Sequence, residues 1–224
     1  MQAEIRELFA EYPDVLYGFA DTAYSQYADS YPLALVFAVP HGVLLTPKSY
    51  SEERFEGCIM ASKARLEQIV ARVEALLRSR GVRYWLPPVS QDSEQTLLAP
   101  FSFKYAAVRA GLGWIGRNDV VITRRYGPRV RLSALLIDAR LDCGTPILES
   151  GCPEDCRRCV DACPCNALKD RRWTTDARRA DIIDYHRCNR MRSAFIERLG
   201  RKNACGLCMV ACPFGMPNDT HAGG

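Results

Sequence analysis

Residues 110–119 read AGLGWIGRND, and within them Gly111-x-Gly113-x-x-Gly116 has the spelling of a dinucleotide-binding fingerprint. That fingerprint works in only one order of elements. It follows a β-strand and opens a helix, because the pyrophosphate sits on the helix N-terminus. Here the order is reversed. FSFKYAAVRAG (101–111) reads as a short helix closed by glycine, and the strand-like VVIT (120–123) comes after the glycines. The acid that would hold a ribose falls near residue 136, inside another strand-like run. A doubly wound nucleotide-binding fold is therefore not expected, and the glycines need another explanation.

Upstream, residues 1–13 read as a short amphipathic helix. PLALVFAVP (32–40) is a proline-bounded apolar run of strand length. Ile59, Leu66, Ile69, Val70, Val73, Leu76 and Leu77 recur at helical spacing across 51–80, with Ser51 placed to open the helix and Gly81 to stop it. VRYWL (82–86) reads as a strand ended by Pro87-Pro88. Downstream, DVVIT (119–123) and RVRLSALLID (129–138) flank the turn RRYGP, which predicts a hairpin between them. The first 148 residues thus read as an α/β or α+β domain, and a separate small domain is expected over 149–224.

The chain has 224 residues, 48% of them hydrophobic, enough for a packed core. No apolar stretch reaches the roughly 18 residues that span a bilayer. The N-terminus MQAEIRELFAEYPDVLYG carries acids and lacks a basic leader region, so a cytoplasmic protein without membrane contact is expected. Residues 1–150 carry 17 basic and 17 acidic side chains, and 151–224 carry 13 and 9, so the whole excess of +4 lies in the second part. The run 169–202 holds eleven Lys/Arg against five Asp/Glu. Such a run serves either as a solvated face or as a footprint for an acidic redox partner, a phosphate or a nucleic acid.

The eleven cysteines decide the character of that second part. Only Cys58 and Cys143 precede residue 150. The other nine contain an internal repeat: Cys152-x3-Cys156-x2-Cys159-x3-Cys163-Pro164, then Cys188, then Cys205-x2-Cys208-x3-Cys212-Pro213. The C-x2-C-x3-C-P ending matches the bacterial two-cluster ferredoxin run, whose last cysteine ligates the other cluster. Carried over, that rule gives one [4Fe–4S] cluster to Cys152, Cys156, Cys159 and Cys212, and a second to Cys188, Cys205, Cys208 and Cys163. The Cys152–Cys156 gap is one residue longer than the standard, and Cys143 is an alternative first ligand. Cys165 is expected to be structural. Cys-x2-Cys pairs also bind zinc, but zinc coordination does not call for Cys-Pro after a three-residue gap, twice. Cluster ligation would also supply folding energy that so small a segment lacks.

VRAGLGWIGRNDVVITRRYGPRVRLSALLID (108–138), followed by a linker and a two-cluster module, resembles the epoxyqueuosine reductases and, more distantly, the respiratory reductive dehalogenases. The resemblance covers about residues 101–215. It implies a nitroreductase-like N-terminal domain that cradles a cobalamin, with the clusters feeding it electrons from a low-potential ferredoxin or flavodoxin. It also implies that Gly111, Leu112, Gly113, Trp114, Gly116 and Asn118 approach the corrinoid, the glycines giving its macrocycle clearance. A flavin in place of the corrinoid stays open, as does an electron-transfer module serving a protein partner. The family's Val-Asp-Ser/Thr-x-Pro-x-x-Glu stretch, which holds its proposed proton donor, is missing where this chain has SEQTLLAPFSFKY (93–105). Asp92 and Tyr105 are the candidate donors, with Glu94 and Lys104 as alternatives. The chain lacks the C-terminal region that longer family members use around tRNA, so a small molecule or modified nucleoside is the expected substrate and tRNA does not carry over.

Overall fold

The computed structural model describes residues 1–89, 97–194 and 205–217. The chain forms two compact units. The first comprises Met1–Pro40, Ser62–Leu112 and Val130–Ile147; the second comprises His41–Ala61, Gly113–Arg129 and Leu148–Gly224.

The first unit is built on a four-stranded sheet in the order β1 (Leu16–Asp21), β2 (Leu33–Pro40), β6 (Val130–Ile137) and β3 (Tyr84–Trp85), every pair antiparallel. The apolar run at 33–40 becomes β2 and is buried at all eight positions, as a central strand covered on both faces must be. Its alternating side chains divide the work. Leu33, Leu35, Phe37 and Val39 join Ile5, Leu8 and Phe9 of helix α1 (Gln2–Ala10) and Ile69, Val70, Val73 and Leu77 of helix α2 (Glu52–Ser79) in one core. Each such side chain, fully buried, contributes about 1.5–3 kcal/mol. The small residues Ala34, Val36 and Ala38 occupy the opposite face. Helix α3 (Phe103–Arg109) packs on β1, β2 and β6 and buries Ala106, Ala107 and Val108.

The helix signals sit where the sequence places them. The Ser51 hydroxyl accepts from Arg54 N–H at 3.2 Å to open α2, and Gly81 ends it with φ +63°. Ser102 caps α3 by accepting from Tyr105 N–H at 3.2 Å.

The hairpin expected between DVVIT and RVRLSALLID does not form. β5 (Val121–Ile122) pairs instead with β4 (Trp114–Ile115), in the register Trp114↔Ile122 and Ile115↔Val121. The connection supplies the reason. Thr123 and Gly127 bond each other, N–H to carbonyl at 2.9 Å in both directions, closing a tight turn before β6 begins. β6 spends its hydrogen bonds on β2 and β3. The fold is therefore mixed α and β with a wholly antiparallel main sheet.

The second unit holds the β4/β5 hairpin and short helices α4 (Arg158–Asp161), α5 (Arg179–Ile182), α6 (Tyr185–Ser193) and α7 (Leu207–Val210). Among the described residues, no helix is long and apolar enough to cross a membrane.

Candidate functional site

The cysteine repeat in the sequence is a repeat in the backbone. In each half a four-residue helix starts two residues after the first cysteine of C-x2-C-x3-C-P. α4 carries Cys159 and α7 carries Cys208. Both end on an alanine in right-handed helical conformation, Ala162 and Ala211, and the cysteine and proline follow. Proline cannot donate to a further helical turn, so each helix stops there, just before its last cysteine. The two helices pack against each other.

The cysteines fall into two neighbourhoods that share Cys159, which lines the pocket described next and also packs with Ala167, Leu168 and Ile183 beside the other set. Cys152, Cys156, Cys159 and Cys212 line one pocket, together with Arg117, Asn118, Ile122, Pro213 and Phe214. Three of these cysteines come from the first half of the repeat and one from the second. Cys163, Cys165, Cys188 and Cys208 gather around Ala167, Leu168 and Ile183, and Cys205 interacts electrostatically with Cys163, Cys188 and Cys208. Cys143 lies in the first unit, its Sγ 3.8 Å from the Leu141 carbonyl; it is Cys152 that lines the cavity. Among the described residues, no three His, Cys, Asp or Glu side chains converge tightly enough to hold a single metal ion.

Burial sets the protonation of these thiols. It pushes Cys159 up to about 12, with the neighbouring Cys152 and Cys156 adding to the effect. Cys212 likewise rises to about 12 through burial, although the Phe214 backbone N–H and Arg129 oppose it. Cys208 is raised further still by burial and by Cys205. Cys163 differs. Burial pushes it up, but donors at the backbone of Ala167, Cys165 and Leu168 and at the Cys165 thiol outweigh burial and leave it below the ordinary thiol value. Ala167 N–H is 3.3 Å from its sulfur and Cys165 Sγ is 3.8 Å away.

The AGLGWIGRND string packs within the protein's own chain. Gly113 lies so close to Ile122 that a Cβ there would collide with its carbonyl oxygen. A Cβ on Gly116 would stand 2.7 Å from Asn118 Oδ1, and one on Gly111 would stand 2.7 Å from the Thr145 carbonyl. Leu112 reaches toward Gly18 of β1. Trp114 is 4% exposed and meets Phe214 edge-on, ring centroids 5.0 Å apart. On the side where a Cβ would stand, the three glycines are thus already required by contacts within the chain. Asn118 serves the cysteine region: its Nδ2 donates to the Cys208 carbonyl at 3.2 Å.

Several residues that serve this region carry no motif. Arg129, 5% exposed, donates to the carbonyls of Phe214, Val210 and Cys212 at 2.7, 3.1 and 2.8 Å. Arg117 donates to carbonyls of Pro153, Glu154 and Asp170 and to the Asp170 carboxylate. Phe55, Leu45 and Cys58 pack with Val210 of α7, and Tyr50 joins them. Burial raises the Tyr50 phenol to about 12, with Cys205 nearby reinforcing the shift. The sequence does not single these arginines out, since Arg129 stands among Arg124, Arg125 and Arg131 and Arg117 is two residues from Asp119; an Arg is buried only when its donors find acceptors, and those lie far along the chain.

In the basic run, Arg171 and Arg178 pair with Asp181, Arg172 with Glu154 and Arg179 with Asp119. Arg187 and Arg190 are exposed on α6, the helix that carries Cys188. Of the candidate proton donors, Asp92 and Glu94 lie outside the described residues. Tyr105 is half-buried in the first unit. It meets Tyr24 edge-on at 4.7 Å and hydrogen-bonds Arg109, which also pairs with Asp21.

No protein-family model matches the chain. An epoxyqueuosine reductase of Gloeobacter violaceus is 33% identical over 122 residues, covering 52% of this chain and 37% of that protein. A tetrachloroethene reductive dehalogenase of Dehalobacter restrictus is 34% identical over 110 residues, covering 48% of this chain and 18% of that protein. A catabolic reductive dehalogenase superimposes with TM-score 0.65 at 19% identity over 92% of this chain and 31% of its own. A selenomethionine-labelled epoxyqueuosine reductase does so with TM-score 0.61 at 19% identity over 96% and 66%. Over about half its length the chain is thus similar to the epoxyqueuosine reductases and to a reductive dehalogenase, proteins named as reductases. It spans under two fifths of the length of the curated relatives named here.

Proposed function

We propose that this chain is a member of the epoxyqueuosine reductase-like family and an iron–sulfur oxidoreductase that moves electrons through two [4Fe–4S] clusters. One observation carries the reading. Cys152, Cys156, Cys159 and Cys212 line a single cavity, three from one half of the repeat and the fourth from the other. A cubane offers each thiolate a separate iron, so its ligands surround a volume instead of meeting at a point. Cys163, Cys188, Cys205 and Cys208 are the ligands of the second cluster in this reading. Ile122, Pro213 and Phe214 give the first cavity apolar walls, which exclude water and with it one influence on cluster potential.

Electrons enter from an acidic low-potential donor, a ferredoxin or flavodoxin, that docks near Arg187 and Arg190 beside Cys188. Their exposure on α6 supports that entry face. Cobalamin is the acceptor this reading takes from the family, and one structural neighbour is described as performing B12-dependent dehalogenation. When bound, a corrinoid supplies a strongly reducing cobalt centre. At Gly111, Gly113 and Gly116 the chain's own atoms occupy the space a Cβ would take, so internal packing alone accounts for glycine there, and no step here depends on that loop. Tyr105 is the proton donor on this reading, its phenol oriented by Arg109. The substrate class is a small molecule or a modified nucleoside; one structural neighbour was captured with an epoxyqueuosine-modified tRNA stem loop.

Anaerobic reconstitution followed by iron, sulfide, cobalt and flavin analysis tests the proposal. About eight irons per chain and a Co(II) signal on adding cobalamin at micromolar concentration are expected. Zinc in place of iron sinks the cluster reading. Eight irons with neither corrinoid nor flavin makes the chain an electron-transfer module.

A further inference from the structure

Arg117 has five N–H donors, and the structure accounts for those on its two terminal nitrogens. Nη1 donates to the Asp170 carbonyl at 2.9 Å and to Asp170 Oδ1 at 2.7 Å. Nη2 donates to the carbonyls of Pro153 at 3.3 Å and Glu154 at 2.6 Å. The remaining donor, Nε–H, is fully buried and has no acceptor among the described residues. The residue is 6% exposed and lines the cavity of Cys152, Cys156, Cys159 and Cys212. A buried donor on a charged group is seldom left unpaired, because its desolvation then goes uncompensated. The cavity beside it is ringed by thiols, whose ligated form is an anionic sulfur acceptor.

We propose that Arg117 Nε–H donates a hydrogen bond to a sulfur of the iron–sulfur cluster held in that cavity. The inference rests on the cluster reading above and adds to it a contact residue outside the cysteine repeat. Asp170, itself paired with Arg157, and the two carbonyls fix the guanidinium so that Nε has one remaining place to donate. A hydrogen bond to cluster sulfur, given by a buried cation, stabilises the reduced form, which carries one more electron. Arg117 therefore raises the potential of this cluster above what its four thiolates alone would set.

The test uses the full chain, reconstituted anaerobically, with arginine labelled with ¹⁵N at Nε. In wild type, pulsed EPR of the reduced protein is expected to show an arginine ¹⁵N coupling to a cluster. Arg117→Lys keeps the charge but has no Nε; it is expected to lose that coupling while keeping wild-type iron and sulfide content. Its reduced-to-oxidised cluster ratio at a fixed applied potential should fall about tenfold, a shift of about 59 mV for a one-electron couple. Asp170→Asn keeps the carbonyl acceptors and Nε, and should retain the coupling. Wild-type protein that holds both clusters but shows no arginine coupling overturns the proposal, even if Arg117→Lys fails to fold. An unchanged coupling and potential in Arg117→Lys overturns it as well. Wild-type protein without iron–sulfur clusters overturns the underlying reading instead.

Discussion

Arg129 holds Cys212 by its backbone: the guanidinium donates to the Cys212 carbonyl at 2.8 Å while the same group also bonds Val210 and Phe214. It thereby occupies the orphan carbonyls at the C-terminal end of α7, where a cation is electrostatically favoured, and fixes the one cysteine that the second half of the repeat sends to the first cavity. A residue 83 positions upstream thus anchors the backbone that carries that thiol.

Replacing Arg129 by Met removes these charged bonds and leaves buried carbonyls unpaired. A loss of about 3 kcal/mol or more is expected, measured as the denaturant midpoint of the reconstituted protein. Iron content should fall from about eight toward about four per chain, because the second cluster does not use Cys212. Unchanged stability would remove Arg129 from the account of the site.

Gly206 opens α7 directly beneath the Phe55 ring, and a Cβ there would overlap that ring. Gly206→Ala should destabilise by about 1–3 kcal/mol, as overpacked sites do. Phe55→Leu in the same chain should recover part of the loss. A double-mutant cycle with no coupling between the two positions would contradict the packing.

Serine at Cys152 and at Cys143 should give different results. Cys152→Ser is expected to lower iron and sulfide per chain, and Cys143→Ser to leave both at the wild-type value. Iron analysis after identical reconstitution decides. The reverse result would restore Cys143 as first ligand.

The thiols should also separate by reactivity in cluster-free protein. The thiolate is the reactive form, so a lowered pKa raises reactivity near neutral pH and a raised one suppresses it. Cys163, held below the ordinary value, should alkylate at lower pH than its neighbours. Cys159 and Cys212, pushed up to about 12, should stay slow until the pH is well above the ordinary thiol range. Brief iodoacetamide pulses from pH 6.5 to 10, mapped by mass spectrometry, check the order. Equal rates at Cys163 and Cys159 at pH 7 would contradict it.

What the sequence determined is what lies within one or two turns of chain. The capping serines 51 and 102, the buried run at 33–40 and the C-x2-C-x3-C-P repeat are local patterns, and local hydrogen bonds and periodicity execute them. The reversed order of elements around Gly111–Gly116 was also legible, and it argued against a dinucleotide-binding fold without any coordinates. What the glycines are for was not legible, because a missing Cβ does not say whether a cofactor or another strand fills the space. Only the tertiary structure decided that Ile122 closes on Gly113, that β5 pairs with β4 and leaves β6 to the main sheet, and that Arg117 and Arg129 reach the cysteine loops. Those contacts join distant segments. An arginine's long side chain and five donors fit many acceptors, so packing alone selects which carbonyls it meets.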